Sequence, residues 1–270
     1  MDIFYFFYCT IECAICLYAG IAIFQNIGFH QTGGVSLQPI AAILTDGYPQ
    51  DTAFLQSLRQ TVCFSGHRPD AFPQGTIVGF PMVDVLKTLL AGCIELALQD
   101  GFRYFLDGLA EGVDLWAAEY LLYRKQHGNV PMHLIAVEPC LHYLENRRSR
   151  KAEMMRYVEQ ADALVTIPMQ GKYSFLRRND YMIAHSWRLI CMICKPEGGT
   201  AYTLKQAVKE RKEIHCMDVR DQNLLFQFAM QFLTEEQEIP HTAAERYRYY
   251  QQYPETLSVC RTLLKSYAKW

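Results

Sequence analysis

The sequence predicts an α/β protein built on a doubly wound, mainly parallel sheet with helices on both faces. Three observations carry this. From Thr61 onward, short apolar β-prone runs alternate with helical stretches of about 10–20 residues, the pattern of successive βαβ units. Three glycine-bearing turns, Ser65-Gly66-His67-Arg68-Pro69, Gly108–Asp114 and Gly198–Thr200, follow strand-like runs at α/β spacing. Sheets of this kind bind ligands beyond the carboxyl ends of their strands, where neighbouring connections run to opposite faces. Turns at those ends are expected to converge on one cleft.

The elements follow in order. Thr61 to Gly66 is the first strand. Phe80 to Gln99 carries apolar residues at helical spacing (Val83, Leu86, Leu89, Leu90, Cys93, Leu96, Ala97) and stops at Asp100-Gly101, a suitable C-terminal cap. Phe102 to Leu106 is the second strand, and Val113 to Gln126 a helix with Asp114 in its first turn, ended by His127-Gly128-Asn129. His133 to Glu138 is the third strand, followed by a strongly charged helix from about His142 to Gln160. Ala163 to Ile167 is the fourth strand. A short helix around Phe175 to His185 leads to the fifth, Arg188 to Cys194. Thr203 to Lys212 is a helix, Ile214 to Asp218 the last strand and Asn223 to Leu233 the last helix of the alternating region.

Residues 61–233 therefore form the expected domain. Residues 1–60 form an apolar segment and extension, and 234–270, rich in Tyr, Gln and Arg, a helical tail. Ile3 to Phe24 is almost wholly apolar, with Glu12 its only charge, and is long enough to span a bilayer. It has no Lys or Arg before it and none follows until Arg59, so it lacks both a signal-peptide n-region and a positive-inside flank. Membrane anchor, helix packed on the domain and extension outside the functional protein all stay open, with the last two favoured. Gln25 to Gln60 is Gly/Pro-punctuated and aperiodic, and reads as a linker or loose extension.

Half of the 270 residues are hydrophobic and 20% are charged, ordinary for a globular chain with a full core. The net charge of −2 gives no global signature of nucleic-acid binding, so a basic site would have to be local. Ten cysteines are too few for a disulfide scaffold, and most lie in apolar runs (Cys63, Cys93, Cys191, Cys194), which fits a reducing cytoplasm. In Cys191-Met192-Ile193-Cys194 the two thiols sit three apart on a strand and point to opposite faces. Cys9, Cys13 and Cys16 lack His or Cys partners at zinc-finger spacing. No metal site and no cofactor are expected.

The candidate site residues come from the turns. Gly66 lets the backbone approach a ligand, while Arg68 offers a permanent forked positive charge beside His67. Gly108 and Gly112 flank a strand-turn-helix junction whose leading amides suit an anion. Asp114 either caps that helix or accepts from ribose hydroxyls or a base, and Glu119 either faces the cleft or lies on a solvated face. Gly198, Gly199 and Thr200 suit a phosphate with backbone amides and one hydroxyl, or form a simple αβ turn. Arg178 and Asn179 reach a ligand phosphate and a sugar or base edge, or start a solvated helix. Neither a Walker A ending nor a G-x-G-x-x-G fingerprint is present. No nucleophile has a partnered base, so no catalytic residue is assigned. Arg147-Arg148-Ser149-Arg150-Lys151 reads as an exposed basic helix face.

Taken in order, the strand with Ser65-Gly66-His67-Arg68-Pro69, the Gly108-Leu109-Ala110-Glu111-Gly112-Val113-Asp114 turn with Ala117-Ala118-Glu119 behind it, Arg178-Asn179 with Met182, and Gly198-Gly199-Thr200 resemble the YpsA-like branch of the SLOG superfamily. That superfamily joins the DNA-processing protein DprA to the phosphoribohydrolases that activate cytokinins. The resemblance covers about Thr61 to Leu233. It implies a Rossmann-like domain binding a nucleotide or nucleotide-derived ligand such as ADP-ribose or a nucleoside phosphate. Gly66, His67 and Arg68 would line the pocket, Gly108, Gly112 and Asp114 would form its second turn, and Arg178, Asn179 and Gly198 to Thr200 would close on the phosphate end. Several members are regarded as sensors of nucleotide signals in stress or conflict systems, so a sensor or regulator is the expected role.

Two departures qualify the resemblance. Phosphoribohydrolase members carry G-G-x-G-T-x-x-E, and Thr203 stands here at the place of the acid. YpsA-like proteins tend toward Met-Val-Asp-x-Ser-Asp where this chain has Met182-Ile183-Ala184-His185-Ser186-Trp187. Hydrolysis of an N-glycosidic bond, with Asp114, Glu119 or Glu111 replacing the missing acid, is the alternative expectation. Single-stranded DNA binding of the DprA kind is the third, against which the neutral composition argues mildly. Oligomeric state is left open.

Overall fold

A computed structural model of the chain describes residues 43–44, 53–140, 143, 151–168, 171, 173–234 and 238–265. Ile3–Phe24, most of Gln25–Gln60 and Arg147–Arg150 lie outside the described residues, and so do the expectations attached to them.

The main sheet has seven strands in the order β1 (Ile43–Leu44), β7 (Ala163–Thr166), β6 (His133–Glu138), β5 (Tyr104–Asp107), β2 (Thr61–Gly66), β8 (Arg188–Ile193) and β9 (Glu213–Asp218). Six are parallel, and β1 adds an antiparallel edge against β7. The central strands are buried on both faces: β8 along its whole length, β2 in all but its last residue. Burial on both faces selects the continuous apolar runs Val62-Cys63-Phe64 and Leu189-Ile190-Cys191-Met192-Ile193 in place of alternation.

Among the described residues eight helices accompany the sheet: α1 (Met82–Gln99), α2 (Val113–His127), α3 (Lys151–Gln160), α4 (Ser174–Ala184), α5 (Gly199–Lys209), α6 (Gln222–Thr234), α7 (Ala243–Gln252) and α8 (Thr256–Lys265). From β2 the chain steps outward through β5, β6 and β7 with α1, α2 and α3 on one face. It then returns past β2 to β8 and β9 with α4 and α5 on the other. The direction reverses between β2 and β8. That pair is the topological switch point, and the structure has the Rossmann-like α/β arrangement expected from the sequence.

Several boundaries differ from expectation for identifiable reasons. Phe80 and Pro81 pair with Thr76-Ile77 in a two-stranded ribbon, β3 (Thr76–Ile77) with β4 (Phe80–Pro81), so α1 begins at Met82. The helix expected from Thr203 begins at Gly199, which places Gly198 at its N-cap and Thr200 in its first turn. In α1, residues Thr88 through Leu98 are all buried, because the helix lies between the sheet and the C-terminal helices. Gly92 marks the closest approach: a β-carbon there would lie 2.5 Å from Tyr250 Oη, whose hydroxyl donates to Thr88 O at 2.7 Å. Helices α7 and α8 thus complete the core on that face. Helix α7 is locally well specified, with a capping box between Thr242 and Glu245.

Candidate functional site

The carboxyl ends of β2, β5 and β8 bring the three glycine turns together. After β2, the His67 ring reaches across the switch point. Its Nδ1 accepts from the Cys194 N–H at 3.2 Å, and its Nε2 lies 3.4 Å from the Glu197 carbonyl oxygen, so a proton on Nε2 satisfies both. His67 therefore ties the first turn to the third. The second turn is pressed against the first. A β-carbon on Gly112 would stand 2.5 Å from the His67 carbonyl oxygen, and φ is +95° there, so only glycine fits. A β-carbon on Gly66 would lie 2.2 Å from Val113 Cγ2.

Two helices start at this rim. Helix α2 has Gly112 and α5 has Gly198 at the N-cap, neither with a capping side chain. The leading amides of a helix lack intrahelical acceptors and carry the positive end of its dipole, so two such starts at the carboxyl ends of strands flanking β2 suit an anion. Arg68 lies beside them, its Cα 3.3 Å from the β-carbon position at Gly112. Its side chain is exposed and makes no hydrogen bond or ion pair within the described residues.

Arg178 and Asn179 also reach this place, but as buried braces. Arg178 Nη1 donates to the Gly108 carbonyl at 2.5 Å, while Nε and Nη2 donate to Asn179 Oδ1 at 3.2 and 3.0 Å. Asn179 Nδ2 donates to Thr203 Oγ1 at 2.9 Å, and Thr203 Oγ1 donates to the Gly199 carbonyl at 2.9 Å. One chain of bonds thus runs from the second turn through α4 to the start of α5. Neither residue is part of a solvated helix start: both are buried. Gly199 lies on the same chain, 3.9 Å from Asn179 Nδ2 at its β-carbon position. Gly198 is exposed with φ +90°, and Thr200 is buried in the first turn of α5.

Asp114 does not cap α2. Its Oδ2 accepts from the Ala110 N–H at 3.3 Å, inside the turn. Beneath the turn it meets Asp107 and Arg178. Burial pushes the Asp114 carboxyl up to about 6, against the pull of the Arg178 guanidinium and the Ala110 amide. Burial, and then the Asp114 charge, push Asp107 well above the usual carboxylate range. Asp107 Oδ1 accepts from the Leu109 N–H at 2.7 Å, and Leu109 is held at φ +57°. Asp107 was not a candidate from the sequence, although an acid closing an apolar strand ahead of a glycine turn was a visible signal. Glu119 pairs with Lys87 at 3.6 Å in a cavity of about 240 Å³ that it lines with Trp116, Arg156 and Pro69 of the first turn. Gly112 is common to that cavity and the rim.

Among the described residues no group of three or more His, Cys, Asp or Glu side chains could hold a metal ion, and no helix is long and apolar enough to cross a membrane. Cys191 is fully buried opposite Cys216 of β9, whereas Cys194 follows the strand and donates its amide to His67.

This fold, with its glycine turns gathered at the switch point, is a Rossmann-like α/β domain. The model of the YpsA family, described as the YspA SLOG family, matches residues 64–222, and the chain belongs to that family. A UPF0398 protein of Halalkalibacterium halodurans is 21% identical over 141 residues, 51% of this chain and 75% of the relative. A UPF0398 protein of Staphylococcus aureus strain JH9 is 22% identical over 130 residues, 47% and 69% of the two chains. Among solved structures, DNA processing protein A from Helicobacter pylori, described by its single-stranded DNA binding mode, aligns with a TM-score of 0.49 and 19% identity. That alignment covers 86% of this chain and 91% of that one. DNA processing protein A from Streptococcus pneumoniae aligns at 0.47 and 15%, covering 77% and 65%.

Proposed function

We propose that the chain binds a nucleotide or nucleotide-derived ligand in the crevice between β2 and β8 and acts as a sensor or regulator of stress or defence. The observation that carries the reading is the meeting of three turns, far apart in sequence, around two uncapped helix starts with Arg68 beside them. The anionic groups of the ligand lie on the amides of Gly112–Asp114 and Gly198–Ala201, and Arg68 adds an exposed positive charge. Binding is favoured over hydrolysis because Thr203, at the place of the hydrolase acid, already bonds Asn179 and Gly199. Asp114, the nearest substitute, is buried against Arg178.

Isothermal titration with AMP, ADP-ribose and cyclic dinucleotides tests this. At least one ligand binds saturably, and Arg68→Ala weakens it about tenfold, or ~1.4 kcal/mol, without changing the melting temperature. No binding by any of them refutes the reading. Salt-sensitive retention of a single-stranded oligonucleotide in place of mononucleotide binding points to strand binding instead.

A further inference from the structure

Five large apolar side chains are exposed among the described residues, and two of them, Tyr173 at 57% and Phe175 at 40%, stand together where α4 begins. Helix α4 follows β7, so its start lies at the carboxyl rim of the sheet. The Phe175 ring is held in place. The Arg178 guanidinium carbon lies 5.6 Å from its centroid, and the Tyr143 ring meets it edge-on at 5.6 Å and 83°. The same guanidinium donates to the Gly108 carbonyl. One cation thus links an open aromatic ring to the second glycine turn. A ring fixed by its neighbours yet open to solvent loses little freedom when a second π-face lies on it.

We propose that Phe175 is the stacking platform for the base of the ligand, so the site takes base-bearing nucleotides and discriminates against their base-free counterparts. The inference rests on the nucleotide-binding reading and adds the substrate class. The phosphate lies on the amides of the glycine turns, and the base extends over α4. Stacking is tolerant of base identity, because every base presents a π-face. Selectivity for a particular base would then come from other contacts.

Titration of AMP and ribose 5-phosphate into wild type, Phe175→Ala and Phe175→Trp tests it. Wild type binds AMP at least tenfold more tightly than ribose 5-phosphate. Phe175→Ala weakens AMP by about tenfold, the scale of one base–aromatic stack, and leaves ribose 5-phosphate unchanged. Phe175→Trp retains AMP. Equal loss for both probes, or no loss for either, overturns the platform while leaving the site itself standing. Unchanged AMP affinity with loss of self-association on sedimentation assigns the ring to contact between copies and also overturns it. If wild type binds neither probe, nor ADP-ribose nor a cyclic dinucleotide, the nucleotide reading falls and the platform with it.

Discussion

The glycines of the rim are places where a single carbon decides whether the turns can meet. Gly112 is constrained twice, by a φ of +95° and by the His67 carbonyl 2.5 Å from where a β-carbon would sit. Gly112→Ala is expected to cost about 1–3 kcal/mol from the backbone strain alone and to abolish ligand binding, read by thermal melting and titration calorimetry. Unaltered binding in a folded variant would count against the turn's role. The Asp107–Asp114 pair makes the fold sensitive to pH. Both carboxyls lie above their unfolded values, so their contribution is complete at low pH, below the unfolded value, and is lost as pH rises through the folded value. For Asp114 that window runs from about 4 to about 6. Melting temperature should fall across that window, and less steeply in Asp107→Asn, where an amide oxygen still accepts from Leu109. Superimposable pH profiles of the two proteins would contradict the assignment.

At the scale of elements, helix α4 matters because it is the brace between the second and third turns. Thr203→Val keeps the shape of the α5 residue but leaves Asn179 Nδ2 without its acceptor. It should cost about 1–3 kcal/mol and weaken ligand binding through the displaced start of α5; a neutral effect on both would refute the brace. The strands of the sheet were legible in the sequence because burial on both faces writes them as unbroken apolar runs between glycines. The convergence at the crevice was legible from where those glycines fell. The roles of Arg178, Asn179 and His67 were not. A buried arginine bonded to a carbonyl and an exposed one awaiting an anion have the same local sequence, and only the packing of α4 under Gly108 separates them. The start of α5 lies four residues before the one the sequence predicts, because Gly198-Gly199 reads locally as a turn. In the fold, Gly198 is an N-cap and Gly199 already helical. Phe175 carries no signal of exposure in the sequence, since an aromatic at the head of an amphipathic helix is ordinarily core.

Across the whole molecule, the reversal of chain direction between β2 and β8 creates the crevice, while α7 and α8 stabilise the opposite side of α1. These two jobs should separate. Tyr250→Ala removes a fully buried ring and its bond to Thr88, and should cost about 3–5 kcal/mol by analogy with other large aromatic truncations. The variant that remains folded at low temperature should bind ligand as wild type does, and a selective loss of affinity would show that the tail shapes the site. The central claim is that residues from three turns hold one anionic ligand together. Backbone amide NMR during a titration with AMP tests it most directly. The account predicts saturable shifts with one common dissociation constant at Gly66–Arg68, Gly112–Asp114 and Gly198–Ala201. Shifts confined to one turn, or scattered away from the β2–β8 crevice, would contradict it.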